Sequence, residues 1–337
     1  MKINILSDKN LKLLEELVDC DQIKLKQIMA SYLKKHYGKS HVVETLDYVY
    51  AEGNIPVALV AHLDTVFEHT YKHEDRELLY DRVKNILISP QGAGFDDRAG
   101  IYAIVQIIRS GLRPHIILTT DEETGCVGAS MLVKDHPKAP FAELNYIIEL
   151  DRRGECDCVF YDCENPDFEQ YVEDFGFITN IGSFSDISII CPEWGVAGVN
   201  LSIGYKNEHT TSEVLCVQAM LTTITRVINM LKAENKPFFK YIPSPYSYLS
   251  TWSNFNFLDL NKKKKTSEYH VQCKCCKETI LDLEAIAVKT NEGATVFYCG
   301  DCVAKNDSIE WCFNCGEAFE TATGAYYCKD CEGKKSK

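Results

Sequence analysis

Between His41 and Ala233, short apolar runs alternate with amphipathic stretches, and this alternation limits the possible folds more than any other feature. The runs His41–Tyr50, Ile55–Val60, His115–Thr119, Asn145–Leu150 and Val196–Ser202 have the length and content of strands. The stretches Asp97–Arg109, Thr124–Asp135 and Glu213–Ala233 have the apolar spacing of helices. Another helix begins at Asn165-Pro166, a cap followed by a first-turn proline, and Gly176 ends it. Strands that alternate with helices join through crossovers. The expected fold class is therefore α/β, a mostly parallel, twisted sheet flanked by helices, and such sheets bind ligands beyond the carboxyl ends of their strands. Residues 9–37 add a helical segment with Leu11, Leu14, Leu17, Leu25 and Leu33 among its apolar positions.

The strand ends share one kind of chemistry. Ile55–Val60 runs into His62 and Asp64, and His115–Thr119 into Asp121-Glu122-Glu123. Asn145–Leu150 runs into Asp151, Val196–Ser202 leads through GYKNE to His209, and the QGAG turn before Asp97 carries Asp96-Asp97. A single His-x-Asp after an apolar run reads most simply as a strand end meeting solvent. Five clusters of imidazoles and carboxylates on one rim of one sheet have instead the residue types of a metal centre.

In this order the motifs AHLDTV, GAGFDDRAG, TTDEETGCVGAS, IELD and YKNEHTTSE resemble those of the zinc-dependent exopeptidases, the superfamily of di-zinc aminopeptidases, tripeptidases and carboxypeptidases. The resemblance covers about residues 40–235. It implies that His62 and Asp151 bind a first metal, Glu123 and His209 a second, and that Asp96 bridges the two. Asp97 is the second choice for that bridge, because in the family's Asp-Asp pair the first residue takes it. Asp64 would orient His62, and Glu122 would act as general base towards a metal-bridging water. An Asp at the position of Asp151 resembles the aminopeptidase and tripeptidase branches. Ser185-Asp186 resembles a Ser-Asp segment that precedes the family's final strand, and reads equally well as a capped turn. Only 57 residues separate Asp151 from His209, too few for the lid or dimerisation domain that many relatives insert there.

These features imply a di-zinc metallohydrolase cleaving amide bonds, foremost an aminopeptidase on short peptides. The two catalytic Zn²⁺ are replaceable by Co²⁺ or Mn²⁺, which suit the same ligands. One alternative is an amidohydrolase or deacylase acting on an N-acylated small molecule. The other is a binding protein in which the hydrolase-like body serves as scaffold and the C-terminal tail engages a partner.

That tail changes the composition abruptly. KPFFKYIPSPYSYLSTWSNFNF and the run Lys262–Lys265 read as an aromatic, Pro-rich segment and a linker over 236–268. Of the chain's 16 cysteines, eight follow in the pairs Cys273/Cys276, Cys299/Cys302, Cys312/Cys315 and Cys328/Cys331. Spacers of 22 and 12 residues separate the pairs within each set of four. A knuckle turn in Cys-x2-Cys presents both sulfurs to one tetrahedral ion, so two structural Zn²⁺ are expected over 269–337 in a double zinc-ribbon-like module. Sequential and interleaved pairings both fit, and Cys275 is a spare thiol beside them. So short a segment has little core of its own, and metal binding supplies much of its folding free energy. Trp311, Phe313, Tyr326 and Tyr327 read as its mini-core or as a surface for a protein partner. The expected organisation is a helical segment over 1–38 packed on a catalytic body over 39–235, the linking segment, and the Cys-rich module.

Net charge is −13. Residues 262–337 hold 12 Lys against 12 Asp and Glu, so the excess sits on the body, a distribution ill-suited to nucleic acid. No run of about 18 apolar residues suggests a membrane span. MKINILSDKNLK lacks the apolar core of a secretory signal, and with thiolate pairs that favour a reducing compartment the expected location is cytoplasmic. His69-x3-His73 lacks the Glu of a metalloprotease helix and reads as surface. Cys156, Cys158 and Cys163 read as reduced thiols, and Cys20, Cys126, Cys191 and Cys216 as core. Arg152-Arg153 reads either as a bidentate anchor for a substrate carboxylate or as a solvated loop.

Overall fold

A computed structural model describes residues 6–67 and 77–244, and in the Cys-rich region 270–281, 286–291, 294–298, 302, 306, 308–311 and 318–321. His69, His73, Lys262–Lys265, Cys299, Cys312, Cys315, Cys328 and Cys331 lie outside the described residues. The chain divides into two units, Met1–Asn254 and Phe255–Lys337.

Helices α1 (Asp8–Val18) and α2 (Gln22–Tyr37) open the body, each started by a side-chain cap. Ser7 Oγ accepts from Asn10 N–H at 3.3 Å, and Asp21 Oδ1 accepts from Lys24 N–H at 2.7 Å. Asp19-Cys20-Asp21 therefore breaks the helical periodicity of 9–37 into two. The run 41–50, expected as one strand, is a hairpin of β1 (Val42–Glu44) and β2 (Tyr48–Ala51). Thr45 Oγ1 turns it by accepting the N–H groups of Asp47 and Tyr48, a local hydrogen-bonding option that apolar patterning does not report.

Next come β3 (Ile55–His62), β4 (Leu79–Asp81), β5 (Ile86–Ile88), α3 (Phe95–Arg109), β6 (Pro114–Thr119), α4 (Val127–Asp135), β7 (Tyr146–Arg152), β8 (Asp157–Val159), α5 (Pro166–Glu173), β9 (Ile178–Thr179), α6 (Asp186–Trp194) and β10 (Gly198–Ser202). The body ends with β11 (Tyr205–Lys206), β12 (Val214–Cys216) and α7 (Val217–Lys232). Eight strands form one sheet in the order β1-β2-β6-β3-β7-β10-β8-β9. The central strands β6, β3, β7 and β10 are mutually parallel. The body is thus the α/β class expected, a largely parallel sheet flanked by helices.

Both sheet faces are covered, which is why β3 is apolar over Val57–Ala61 and β6 over Ile116–Leu118. Val57, Leu59 and Ala61 join one buried cluster with residues of α1, α2, α3 and α7, and Ala58 and Val60 join the other with residues of α4 and α6. The two-residue period of a strand then carries His62 to the α4/α6 face, and in β7 carries Glu149 and Asp151 after Ile147. Position in the strand, more than burial, thus decides which side chains meet at the rim.

Four short strands form a second, antiparallel sheet, β11-β12-β5-β4, that the apolar pattern does not reveal. Val214–Cys216, expected as the first turn of a helix over 213–233, instead pairs with Ile86–Ile88. Three apolar residues satisfy either period, and the partner strand decides. This pairing anchors the β11–β12 hairpin, whose loop carries His209.

Gly128, in the first turn of α4, lies against the end of β6. A Cβ there would stand 2.5 Å from both Asp47 O and Thr120 N. Gly128→Ala is expected to destabilise the body by about 1–3 kcal/mol, read from the denaturant midpoint. A wild-type midpoint would show that α4 can shift without cost.

In the second unit β13 (His270–Gln272) pairs with β14 (Thr279–Leu281). A sheet in the order β16-β15-β18-β17 joins β16 (Thr295–Tyr298), β15 (Ile286–Lys289), β18 (Ala318–Glu320) and β17 (Ile309–Trp311). Among the described residues of this unit, Cys273, Val288, Tyr298 and Ile309 form a buried cluster. Among the described residues no helix is long and apolar enough to cross a membrane.

Candidate metal centre

The rim of the sheet brings the strand-end residues together. His62 Nε2 lies 2.9 Å from Asp96 Oδ1 and 3.4 Å from Asp151 Oδ1. His209 Nε2 lies 2.9 Å from Glu123 Oε2 and 3.3 Å from Asp96 Oδ2. Asp96 therefore turns one oxygen to each imidazole. His62 is fully buried and His209 half-exposed, so one half of the centre is deep and the other faces its mouth.

The chain leaves helical geometry at Asp96 and Asp97, which sends their carboxylates in different directions. Asp97 Oδ2 accepts the His62 N–H at 3.2 Å and its Oδ1 accepts the Gly100 N–H at 2.9 Å. An oxygen of Asp97 also stands within 4.8 Å of ligand atoms of His62 and Asp151. Both its oxygens are nonetheless engaged by backbone, whereas Asp96 faces both rings.

Asp64 ties three parts of the centre. Its Oδ1 is 3.1 Å from His62 Nδ1, which orients the ring so that Nε2 faces Asp96 and Asp151. The N–H groups of Glu122 and Glu123 donate to its two oxygens, each at 3.0 Å. Burial works to raise the Asp64 carboxyl, but these bonds from His62, Glu122 and Glu123 outweigh it and bring it down to about 2. Asp64→Ala frees both the ring and the Glu turn, and a loss of about 10–100-fold in metal affinity is expected in a competition titration against a chelating dye.

Asp151 is held equally firmly. Ser185 Oγ donates to its Oδ2 at 3.1 Å and Tyr205 Oη to its Oδ1 at 3.0 Å. Asn200 joins its backbone through a pair of 3.0 Å bonds. Ser185 also starts α6, with Ser188 Oγ accepting its N–H at 3.0 Å, so the Ser-Asp segment is at once a capped turn and a support of the centre. Glu213 accepts the N–H groups of Gly94 at 2.7 Å and Asp96 at 3.0 Å and so holds the turn that presents Asp96.

Negative charge dominates. Burial pushes Glu122 up to about 8, helped by Asp151, Asp186 and Asp96 and opposed by His62. Glu213 rises to about 7 and Asp186 to about 6, burial being the largest cause in each. His209 is lifted to about 10 by its bonds to Asp96 and Glu123. Among the described residues, Glu123 Oε1, Glu149 Oε2 and Asp186 Oδ1 are buried without a hydrogen-bond partner. Arg98, the buried cation nearby, spends Nη1 and Nη2 on the carbonyls of Leu63, Asp64 and Cys20. Clustered, partly unpartnered carboxylates beside two imidazole rings are costly without a cation and are ligand types suited to divalent ones. His62, Asp96 and Glu123 place ligand atoms within 4.8 Å of one another, a group able to hold a metal ion.

Tyr205 and Glu213 stand at the two ends of the YKNEHTTSE motif and Asn200 within β10, and only the fold shows that they support Asp151 and Asp96. Arg153 is engaged in a 2.8 Å ion pair with Glu208, and Arg152 Nη2 donates to Ile181 O at 3.1 Å. Cys158 and Cys163 are buried free thiols and Cys156 is half-buried. Cys126 Sγ donates to Glu122 Oε1 at 3.5 Å.

In the second unit, Cys273, Cys276 and Cys302 bring their sulfurs within 4.8 Å of one another. Residues of the first and second Cys pairs thus converge, as in the sequential arrangement. Cys275, the spare thiol, is exposed.

No protein-family model and no curated protein matches the sequence. Solved structures do match. An aminopeptidase from the archaeon Desulfurococcus kamchatkensis superposes with a TM-score of 0.52 at 14% identity, over 67% of this chain and 95% of that one. A TET aminopeptidase from a marine sediment Thaumarchaeota archaeon gives 0.52 at 14% identity, over 68% and 98%. A tripeptidase from Staphylococcus aureus gives 0.51 at 14% identity, again over 68% and 98%. At such identity the likeness is one of fold: the chain carries the α/β fold of these aminopeptidases and tripeptidases.

Proposed function

We propose that the chain is a di-zinc exopeptidase, an aminopeptidase that removes N-terminal residues from short peptides with Glu122 as general base. The observation that carries this reading is the Asp96 carboxylate, set between the Nε2 atoms of His62 and His209 at 2.9 and 3.3 Å. His62 and Asp151 would hold one ion, Glu123 and His209 the other, with Asp96 shared. When bound, the ions supply an acidified water and polarise the scissile carbonyl.

The protein's own residues do the rest. Glu122 takes a proton from the attacking water and hands it to the nitrogen of the departing amine. Its neighbour Glu123 faces His209, so one turn supplies a base and a ligand. Asp64 keeps that turn and the His62 ring in mutual register through the bonds described above. Ser185, Tyr205 and Asn200 stop Asp151 from swinging away. The fold shared with aminopeptidases and a tripeptidase supports the substrate class, as does an Asp at position 151.

The test is a panel of di- and tripeptides with free amines beside their N-acetyl counterparts, assayed with zinc present. Release of the N-terminal residue from the free-amine set is expected. Hydrolysis of the blocked set alone would replace this reading with the deacylase.

For the second unit we propose a structural zinc on Cys273, Cys276 and Cys302, with Cys299 completing the four thiolates, and a second zinc on Cys312, Cys315, Cys328 and Cys331. Metal analysis of the intact chain is then expected to give about four zinc ions, and of Cys273→Ser about three. An unchanged count in that variant would remove Cys273 from the ligand set.

A further inference from the structure

The junction of α1 and α2 reaches the metal centre by two routes, one from the turn and one from the first residue of α2. Arg98 Nη2 donates to Cys20 O at 2.9 Å while Nη1 donates to Asp64 O at 3.1 Å, which links the turn to the loop after β3. The second route is direct. Gln22 Nε2 donates to Asp121 Oδ1 at 3.0 Å, and Gln22 Oε1 accepts the Asp121 N–H at 2.9 Å. Both polar ends of one amide are therefore spent on a single residue 99 positions away.

Gln22 is not needed to start its own helix, because Asp21 already caps it through Lys24. Asp121 does need holding. It sits in the left-handed region at φ 55°, a conformation that costs a non-glycine residue free energy and persists only where surroundings enforce it. It is also the residue immediately before Glu122 and Glu123, whose N–H groups are gripped from the other side by Asp64. The Glu122–Glu123 turn is held between a carboxylate from the loop after β3 and an amide from the N-terminal helices.

We infer that Gln22 is a positioning residue of the metal centre, acting through Asp121 to set the direction of the Glu122–Glu123 turn. This rests on the peptidase reading for its kinetic consequence and, for its effect on metal binding, on the proposed metal centre alone. The helical pair α1–α2 then belongs to the working part of the protein, and a disturbance of α2 is felt as a fall in turnover.

The test compares Gln22→Met, similar in volume and helix propensity but lacking both bonds, with Ile23→Ala at the neighbouring exposed site. In the zinc-loaded full chain, Gln22→Met is expected to lower kcat about tenfold with KM unchanged, and to weaken binding of one of the two body ions about tenfold against a chelating dye. Ile23→Ala, 67% exposed, serves as the control and is expected to change neither. Wild-type kcat and wild-type zinc affinity in Gln22→Met would overturn the inference. So would equal losses in Ile23→Ala, which would mark a general effect of the helix. If Gln22→Met lowers the unfolding midpoint by more than about 5 °C, Gln22→Asn decides, since it keeps a polar surface but stops one methylene short of Asp121. If the wild-type chain cleaves no peptide, the function proposed above fails and the zinc titration alone judges Gln22.

Discussion

Glu122→Gln is expected to lower kcat by about 10²–10⁴-fold and to leave the number of bound metal ions as it was. The prediction separates base from ligand within one dipeptide. Glutamine matches the shape of glutamate and can still accept the Cys126 thiol, which donates to Glu122 Oε1 at 3.5 Å. The backbone N–H at that position still reaches Asp64 Oδ1, so the turn should keep its place. What the amide lacks is any capacity to take a proton from water and return it to an amine. Stopped assays on a free-amine tripeptide, with metal measured in the same samples, give the result. A variant that has lost an ion would make Glu122 a ligand, and one with wild-type turnover would remove the general base.

Asp96→Ala is expected to cost more than any single outer ligand. Its two oxygens face different imidazoles, so under the proposed two-metal reading its loss would weaken both ions together, whereas Glu123 or Asp151 would serve one. A first-contact ligand shared by two cations is worth several kcal/mol, corresponding to roughly a thousandfold or more in activity. Zinc analysis of the body should show both ions depleted at concentrations that saturate the wild type. Asp97→Asn provides the contrast, since Asp97 spends its oxygens on the N–H groups of His62 and Gly100 and an amide oxygen can replace only one of those acceptors. That variant is expected to show its damage in thermal stability more than in metal count. Depletion of a single ion in Asp96→Ala would assign Asp96 to one metal and remove the bridge.

Much of this arrangement is legible in the sequence. The runs at Ile55–Val60 and His115–Thr119 need no partner to be recognised as strands, because a strand buried on both faces is apolar over most of its length. Where such a run stops at His62 or at Asp121-Glu122-Glu123, a residue type foreign to a core announces itself. The hairpin at Val42–Ala51 and the strand Val214–Cys216 were not legible. Thr45 decides the first by a local hydrogen bond, and Ile86–Ile88 decides the second by pairing from elsewhere in the chain.

The same division runs through the centre. Side-chain chemistry belongs to a residue wherever it stands, so the sequence alone determined the supply of imidazoles, carboxylates and thiolates, and the strand period determined which of them share a face. Support is a matter of distance. Glu213 under the Asp96 turn, Tyr205 and Ser185 on Asp151, and Gln22 on Asp121 are contacts between segments far apart in the chain, made by side chains common on any surface. Only the tertiary structure decided them, because a hydrogen bond depends on separations of tenths of an ångström that no local pattern encodes.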